Sequence, residues 1–364
     1  MRALLALALL SVGCSLLAPD DDFFVGGGVP SSCEPAPPCG VYPEPDVTVD
    51  NAADLLGLVN SATPGKTIGI APGTYALGGP LEFKVDGVTL RSTTGNAADV
   101  VVIGTLPTIV GIYSSDVTIA DLTLTGSSRS AVVLSPPLGQ LSERMRLCNV
   151  TIRDGGEFGV NALEGVGYAD CALIENSRLE LTSAGSAVAC CPGCSPVGVR
   201  VAGGRGWVIR NSSFAGFFCQ DAAGACTNGQ PIALTFLFGC RDTLIENNRI
   251  VDVSRGIVLG YTKTDSPTRS YDDAPYGGVA IDHYDGIVRN NLIAGHPVCF
   301  DTGIEINRAR EPHVLHNTVV HRGVLGYVSI DRRFPETFAR IENNLVLGRL
   351  GVRECGQQDC TGLL

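Results

Sequence analysis

The residues best suited to chemistry in this 364-residue chain crowd into one stretch. All five His lie between His283 and His321, with His296, His313 and His316 between them. Just before them, Tyr271, Asp272, Asp273, Tyr276, Asp282, His283, Tyr284 and Asp285 fall within 15 residues. A His titrates near neutral pH and suits proton transfer. The expected constellation is His283 as the proton-transfer group, Asp282 orienting it, and Glu305 as a second acid. Arg308 is expected to hold a substrate carboxylate by a bidentate pair. Asn307, Asp331, Tyr284 and Arg200 are expected as further ligand contacts, and Asp272 with Asp273 as an acidic pair suited to Ca²⁺. Neighbours on a strand point to opposite faces. Asp282 and His283 therefore cooperate only if their segment turns, and a His283 facing inward from a strand is structural.

Two reactions fit such residues. Elimination next to a carboxylate needs a base and a cation to hold the developing charge. His283 or Tyr284 would be the base, with Arg289, Arg308 or Ca²⁺ as the cation. Hydrolysis of a glycosidic bond needs two carboxyl groups, for which Asp282 with Glu305 or Asp301 is a candidate pair.

These residues must be positioned by a repeat. A short pattern of apolar residues around an Asn recurs at Asn149, Asn176, Asn211, Asn247, Asn290, Asn317 and Asn343, with Asp121 in a degenerate earlier copy. Four of the seven intervals are 26–28 residues, and the other three look like that base plus an insertion. Each copy alternates apolar and polar residues with the period of a strand, and Gly, Asn, Ser or Asp separates the copies. A fixed period of this length marks stacked repeats. The seven Asn are expected to form an internal ladder, each bonding to the next coil; a row of sugar-binding amides is the alternative. The insertions are expected as loops near 184–196, 217–230 and 262–282.

The repeat resembles that of the right-handed parallel β-helix superfamily, which includes pectate lyases and other polysaccharide-processing proteins. The likeness covers about residues 47–350. It is supported by DNAADLLGLVNSATPGKTIGIAPGTYAL (50–77), which looks like the entry to such a fold. The resemblance implies a short helix near 51–60 closing the end of the solenoid, with Asp50 or Asn51 as its N-cap. It also implies a polysaccharide partner, with acidic sugars included, while the 26–28 spacing over 47–350 gives about nine to eleven coils. No lyase motif is complete, and the polygalacturonase-like set of residues is absent, so the resemblance does not choose a reaction.

A second strand in each coil can be laid over its neighbours. One outward column then reads Asn161, Arg200, Ala233, Val258, Glu305, Ser329. The column beside it reads Leu163, Ala202, Thr235, Gly260, Asn307, Asp331. Stacked coils stand about 4.8 Å apart, so these columns form the floor of a groove.

The N-terminus reads as an export signal. Arg2 precedes a short apolar run, Ala3 to Leu10, and LLSVGC ends at Cys14 like the lipid-attachment box of a bacterial lipoprotein. Residues 1–14 are thus a signal peptide and 15–46 a flexible tether. Residues 47–350 are the solenoid and 351–364 a terminal cap. The reading is an exported, lipid-tethered monomer outside the cytoplasm. Fourteen Cys agree with an oxidising compartment. Removing Cys14 leaves an odd number, so either one thiol is free or one pair is wrongly counted. Cys33–Cys39 and Cys355–Cys360 are expected as local bridges, with others among Cys190, Cys191, Cys194, Cys219, Cys226 and Cys240. The net charge of −11 argues against nucleic-acid binding. A non-catalytic surface protein that binds glycans or partners is the alternative function.

Overall fold

A computed structural model describes residues 33, 39–183, 185, 195–227, 231–261, 269–272, 281–321 and 328–353. It is a right-handed parallel β-helix. The helix Ala52–Asn60 is capped by Asn51, whose side chain accepts from the Asp54 N–H at 2.9 Å. Leu55 and Val59 bury its apolar face against the first coil.

Ten coils follow. The first runs through Thr67–Ile70, Gly73–Ala76 and Leu81–Phe83, and the last through Phe338–Glu342, Leu345–Val346 and Arg349–Arg353. Strands one coil apart pair in parallel, building three long sheets along the axis. Val, Ile and Leu from every coil stack into one continuous core. The last strand carries the solenoid three residues into the segment expected as the terminal cap. Among the described residues no helix is long and apolar enough to cross a membrane.

The ladder is displaced by one residue from its expected place. Asn149, Asn176, Asn211, Asn247, Asn290 and Asn343 take φ of 52–55° at the corner between the first and second sheets. Asn tolerates this left-handed backbone better than most residues. The residues that follow point inward and carry the bonding. Ser177 N–H donates to Ser212 Oγ at 3.1 Å, and Ser212 N–H to Asn248 Oδ1 at 3.0 Å. Asn248, Asn291, Asn317 and Asn344 then bond amide to amide at 2.9–3.0 Å. Of the seven expected Asn, Asn317 belongs to this ladder, because His316 takes the corner in that coil, and Asn149 makes one rung at the expected corner, donating to Asp121 at 2.7 Å.

The disulfides also differ from expectation. Cys33 does not pair with Cys39. It bridges to Cys171, and Cys39 bridges to Cys148. Residues 39–46 are consequently laid along the first sheet instead of hanging free as a tether. Arg91 reaches Pro43 O and Glu44, and Asp46 accepts from Thr67 N–H at 2.8 Å. Gly69 makes room for this strap, since a Cβ there would sit 2.9 Å from Pro45 Cγ. Cys226 pairs with Cys299, outside the expected group of six. Cys219 is disulfide-bonded, and Cys240 is a buried free thiol. Cys14, Cys190, Cys191, Cys194, Cys355 and Cys360 lie outside the described residues.

Candidate functional site

The third sheet carries the groove. Its strands include Phe158–Ala162, Val197–Ala202, Ile232–Leu237, Arg255–Leu259, Thr302–Asn307 and Val328–Arg333. The pairing register aligns Asn161, Arg200, Thr235, Val258, Glu305 and Asp331 in one outward column. Thr235 and Asp331 thus replace Ala233 and Ser329, and Asn307 pairs with Arg333. A slip of two residues keeps every side chain on its own face, so alternation cannot reveal it.

A cavity of about 380 Å³ lies over this column. Arg200, Glu305 and Asn307, all expected as site residues, line it together. Thr235, Arg255, Phe238 and Tyr261 complete the wall with Glu157, Phe158 and Glu164. Gly260 lets the rim close on Asn307, because a Cβ there would lie 1.7 Å from the Asn307 carbonyl oxygen. Arg200 donates to Glu164 at 3.0 Å and to Asn161 at 3.3 Å, and its guanidinium lies about 6 Å from the Phe158 and Phe238 rings.

Glu305 is 1% exposed and held between two guanidiniums. Arg333 Nη1 lies 2.9 Å from Oε1, and Arg255 Nη1 lies 3.4 Å from Oε2. Asn307 donates to Oε1 at 2.7 Å. Arg255 also contacts Asp301 at 2.8 Å, and Arg333 contacts Asp331 at 2.7 Å. Asp331 therefore anchors an arginine one coil beyond the cavity.

The other expected residues do not join this wall. His283 lies on the short strand His283–Tyr284, wholly buried, with Nε2 3.1 Å from Thr243 Oγ1 and an edge-on contact with Phe236. Burial lowers its pKa to about 3. This is the strand arrangement in which His283 is structural, and the reading of it as a proton-transfer group is corrected accordingly. Asp282 does not orient it. That carboxylate turns to Arg308, 3.6 Å away, and burial raises its pKa to about 7 against the opposing pull of the guanidinium. Asp282 Cβ would lie 3.4 Å from a Cβ on Gly260, so the acid sits behind the rim of the cavity. Arg308, 4% exposed at a left-handed corner, is engaged by Asp282 and Glu336 and presents no open fork to a substrate. Tyr284 is buried with its ring edge-on to Tyr271.

No set of three His, Cys, Asp or Glu able to hold a metal occurs among the described residues, so Asp272 stands outside any such cluster there. Asp273 lies outside the described residues. Sequence reasoning missed Arg255 and Tyr261. Arg255 was detectable as a charge heading an otherwise apolar strand.

A larger cavity of about 720 Å³ opens beside the second sheet. None of the expected residues lines it. Its acids are Glu180, already paired with Arg153 and Arg178, and the exposed Asp221 and Asp252. The smaller cavity is the better candidate because buried polar groups from four coils converge on it.

No protein-family model and no curated protein matches this chain. Solved structures do. An alginate lyase from Paenibacillus superposes with a TM-score of 0.57 at 15% identity, covering 85% of this chain and 98% of its own. Endopolygalacturonase I from Stereum purpureum gives 0.42 at 11% identity over 84% and 96%. A lacto-N-biosidase from Eubacterium ramulus gives 0.43 at 10% over 84% and 68%. At such identities the likeness is one of architecture, and with the first of these structures this chain shares the parallel β-helix.

Proposed function

We propose that this protein is an exported polysaccharide-active β-helix whose ligand lies along the third sheet, over Arg200, Thr235, Glu305 and Asn307. The observation that carries this reading is the cavity itself. It combines aromatic wall residues with polar groups from successive coils, the mixture that sugar rings require. The solved structure that shares this architecture is named an alginate lyase.

If the protein cleaves its ligand, hydrolysis fits better than elimination. The candidate bases for elimination are closed off: His283 is buried and neutral, and burial raises the pKa of the Tyr284 phenol. Arg308 is already paired. Hydrolysis asks for one carboxyl group that holds its proton and one that stays charged. Glu305, on the cavity wall between two guanidiniums, answers to the charged role; Asp282, with its pKa raised to about 7, would reach the cavity only past the rim at Gly260. Incubation with a panel of neutral and uronate polysaccharides tests this. New reducing ends without ultraviolet-absorbing product indicate hydrolysis. Unsaturated, ultraviolet-absorbing product would overturn the hydrolytic assignment.

A non-catalytic glycan binder is the second reading. It is favoured by one observation: Asp282, Glu305 and Asp331 are each 0–1% exposed and each face an arginine. Binding without turnover in the same panel would select it. For location, the disulfides fit an oxidising compartment, and lipidation at Cys14 is tested by fatty-acid labelling of wild type against Cys14→Ser.

A further inference from the structure

The wall of the third-sheet cavity has an unbalanced supply of hydrogen-bond groups. Thr235, Glu305 and Asn307 are each at most 2% exposed and all border the cavity. Among the described residues, Thr235 Oγ1 and Asn307 Oδ1 have no hydrogen-bond partner, and Glu305 Oε2 has only its 3.4 Å ion contact with Arg255. Two of these atoms only accept, and the third is a hydroxyl that can do either. A buried polar atom without a hydrogen-bond partner is destabilising, so a ligand that supplies donors there is favoured.

The cations of the wall are already engaged. Arg200 is committed to Glu164 and Asn161, and Arg255 to Asp301 and Glu305. Glu157, Glu164 and Glu305 outnumber these two arginines around the cavity. A carboxylate entering it would meet like charge and acceptors. A divalent cation would meet two guanidiniums within 3.4 Å of Glu305. What the three unpartnered atoms lack is donors, and Phe238 and Tyr261 offer faces for the C–H side of a sugar ring.

We infer that the cavity takes a neutral glycan, bound through sugar hydroxyls that donate to Thr235, Glu305 and Asn307. This inference rests on the placement of the ligand groove proposed above and departs from the acidic sugars that the sequence analysis included. The strands from Phe158–Ala162 to Thr302–Asn307 are five coils deep. They give the floor a length of about 19 Å at the usual strand spacing, enough for several sugar units.

The test is calorimetric titration of the full chain with neutral hexasaccharides of glucose, mannose and galactose, and with hexamers of guluronate and galacturonate. A second arm uses Thr235→Val, which removes the unpartnered hydroxyl without changing the shape of the side chain. The expected result is that a neutral hexamer binds at least about tenfold more tightly than either uronate. Thr235→Val should weaken that binding by about fivefold to tenfold while leaving the thermal midpoint unchanged or higher. Uronates that bind more tightly, and are weakened by Thr235→Val, overturn the neutral-glycan inference and leave the groove in place. A neutral hexamer unaffected by Thr235→Val binds elsewhere and overturns it as well. Absence of binding by all five hexamers removes the groove reading and this inference together.

Discussion

The ladder at the corner of the first and second sheets and the column on the third sheet are made of similar residues in the same coils, yet they end differently. In the ladder each amide meets its copy one coil away: Asn291 accepts from Asn248, donates to Asn317, and has its second amide proton on the Ile245 and Arg289 carbonyls. In the column Arg200, Thr235, Val258 and Glu305 follow one another without repetition. Identical neighbours satisfy one another and close the structure. Unlike neighbours leave acceptors over, on residues that border a cavity. A polar residue in a stacked fold is thus structural or ligand-facing according to what stands one coil away.

Four changes would break or sharpen this contrast. The largest effect is expected from Glu305→Gln, because it removes the charge shared by Arg255 and Arg333 in a buried setting. Breaking such a pair costs about 3–5 kcal/mol, which should appear as a lower urea midpoint together with loss of ligand binding. An unchanged midpoint would show that the arginines find other partners. Next is the double variant Cys39→Ser, Cys148→Ser. The bridge closes a separation of 109 residues, and its loss is expected to cost about 3–4 kcal/mol. Groove binding should survive, because the strap lies on the first sheet.

A smaller loss, about 2–3 kcal/mol, is expected for Asn291→Gly, which strands the amides of Asn248 and Asn317. Its neighbour supplies the control. Asn290 is exposed at φ 55°, a backbone that glycine adopts without strain, so Asn290→Gly should be nearly neutral. Equal losses in the two variants would refute the displaced ladder.

The smallest effects concern pH. Asp282 has a folded pKa raised from 3.8 to about 7. Its contribution to stability is full below about pH 4 and is lost as pH rises through 7. His283 is lowered from 6.5 to about 3, so its contribution is present above pH 6.5 and lost as pH falls toward 3. The two slopes oppose each other in mildly acid solution. Asp282→Asn should leave stability rising with pH between 4 and 6.5, and His283→Gln should leave it falling. Denaturant midpoints across that range, measured on both variants, would show whether the paired slopes exist.

Much of the fold was readable because a stacked repeat writes its period into the chain. The spacing of Asn149, Asn176 and their successors marks the coils, and DLLGLVN with Asn51 marks the capping helix. Of the expected residues, Arg200, Glu305 and Asn307 line one cavity, whereas His283 turns into the core. The local sequence around His283 carries polar neighbours on both sides, and only the packing of Phe236 and Thr243 shows that its ring has left solvent.

What the sequence determined by itself is periodic: strand alternation, corner residues and the parallel β-helix. These follow from local backbone preference and repeat length. Much of the expected insertions at 184–196, 217–230 and 262–282 lies outside the described residues. What the tertiary structure decided is register and partnership. A strand may slide by two residues without changing its pattern, so alternation alone could not place Thr235 and Asp331 in the column of Glu305. Cysteine spacing likewise could not show that Cys33 and Cys39 reach across the first sheet to Cys171 and Cys148. Contacts between residues far apart in the chain depend on how coils stack, and that is settled only when the core closes.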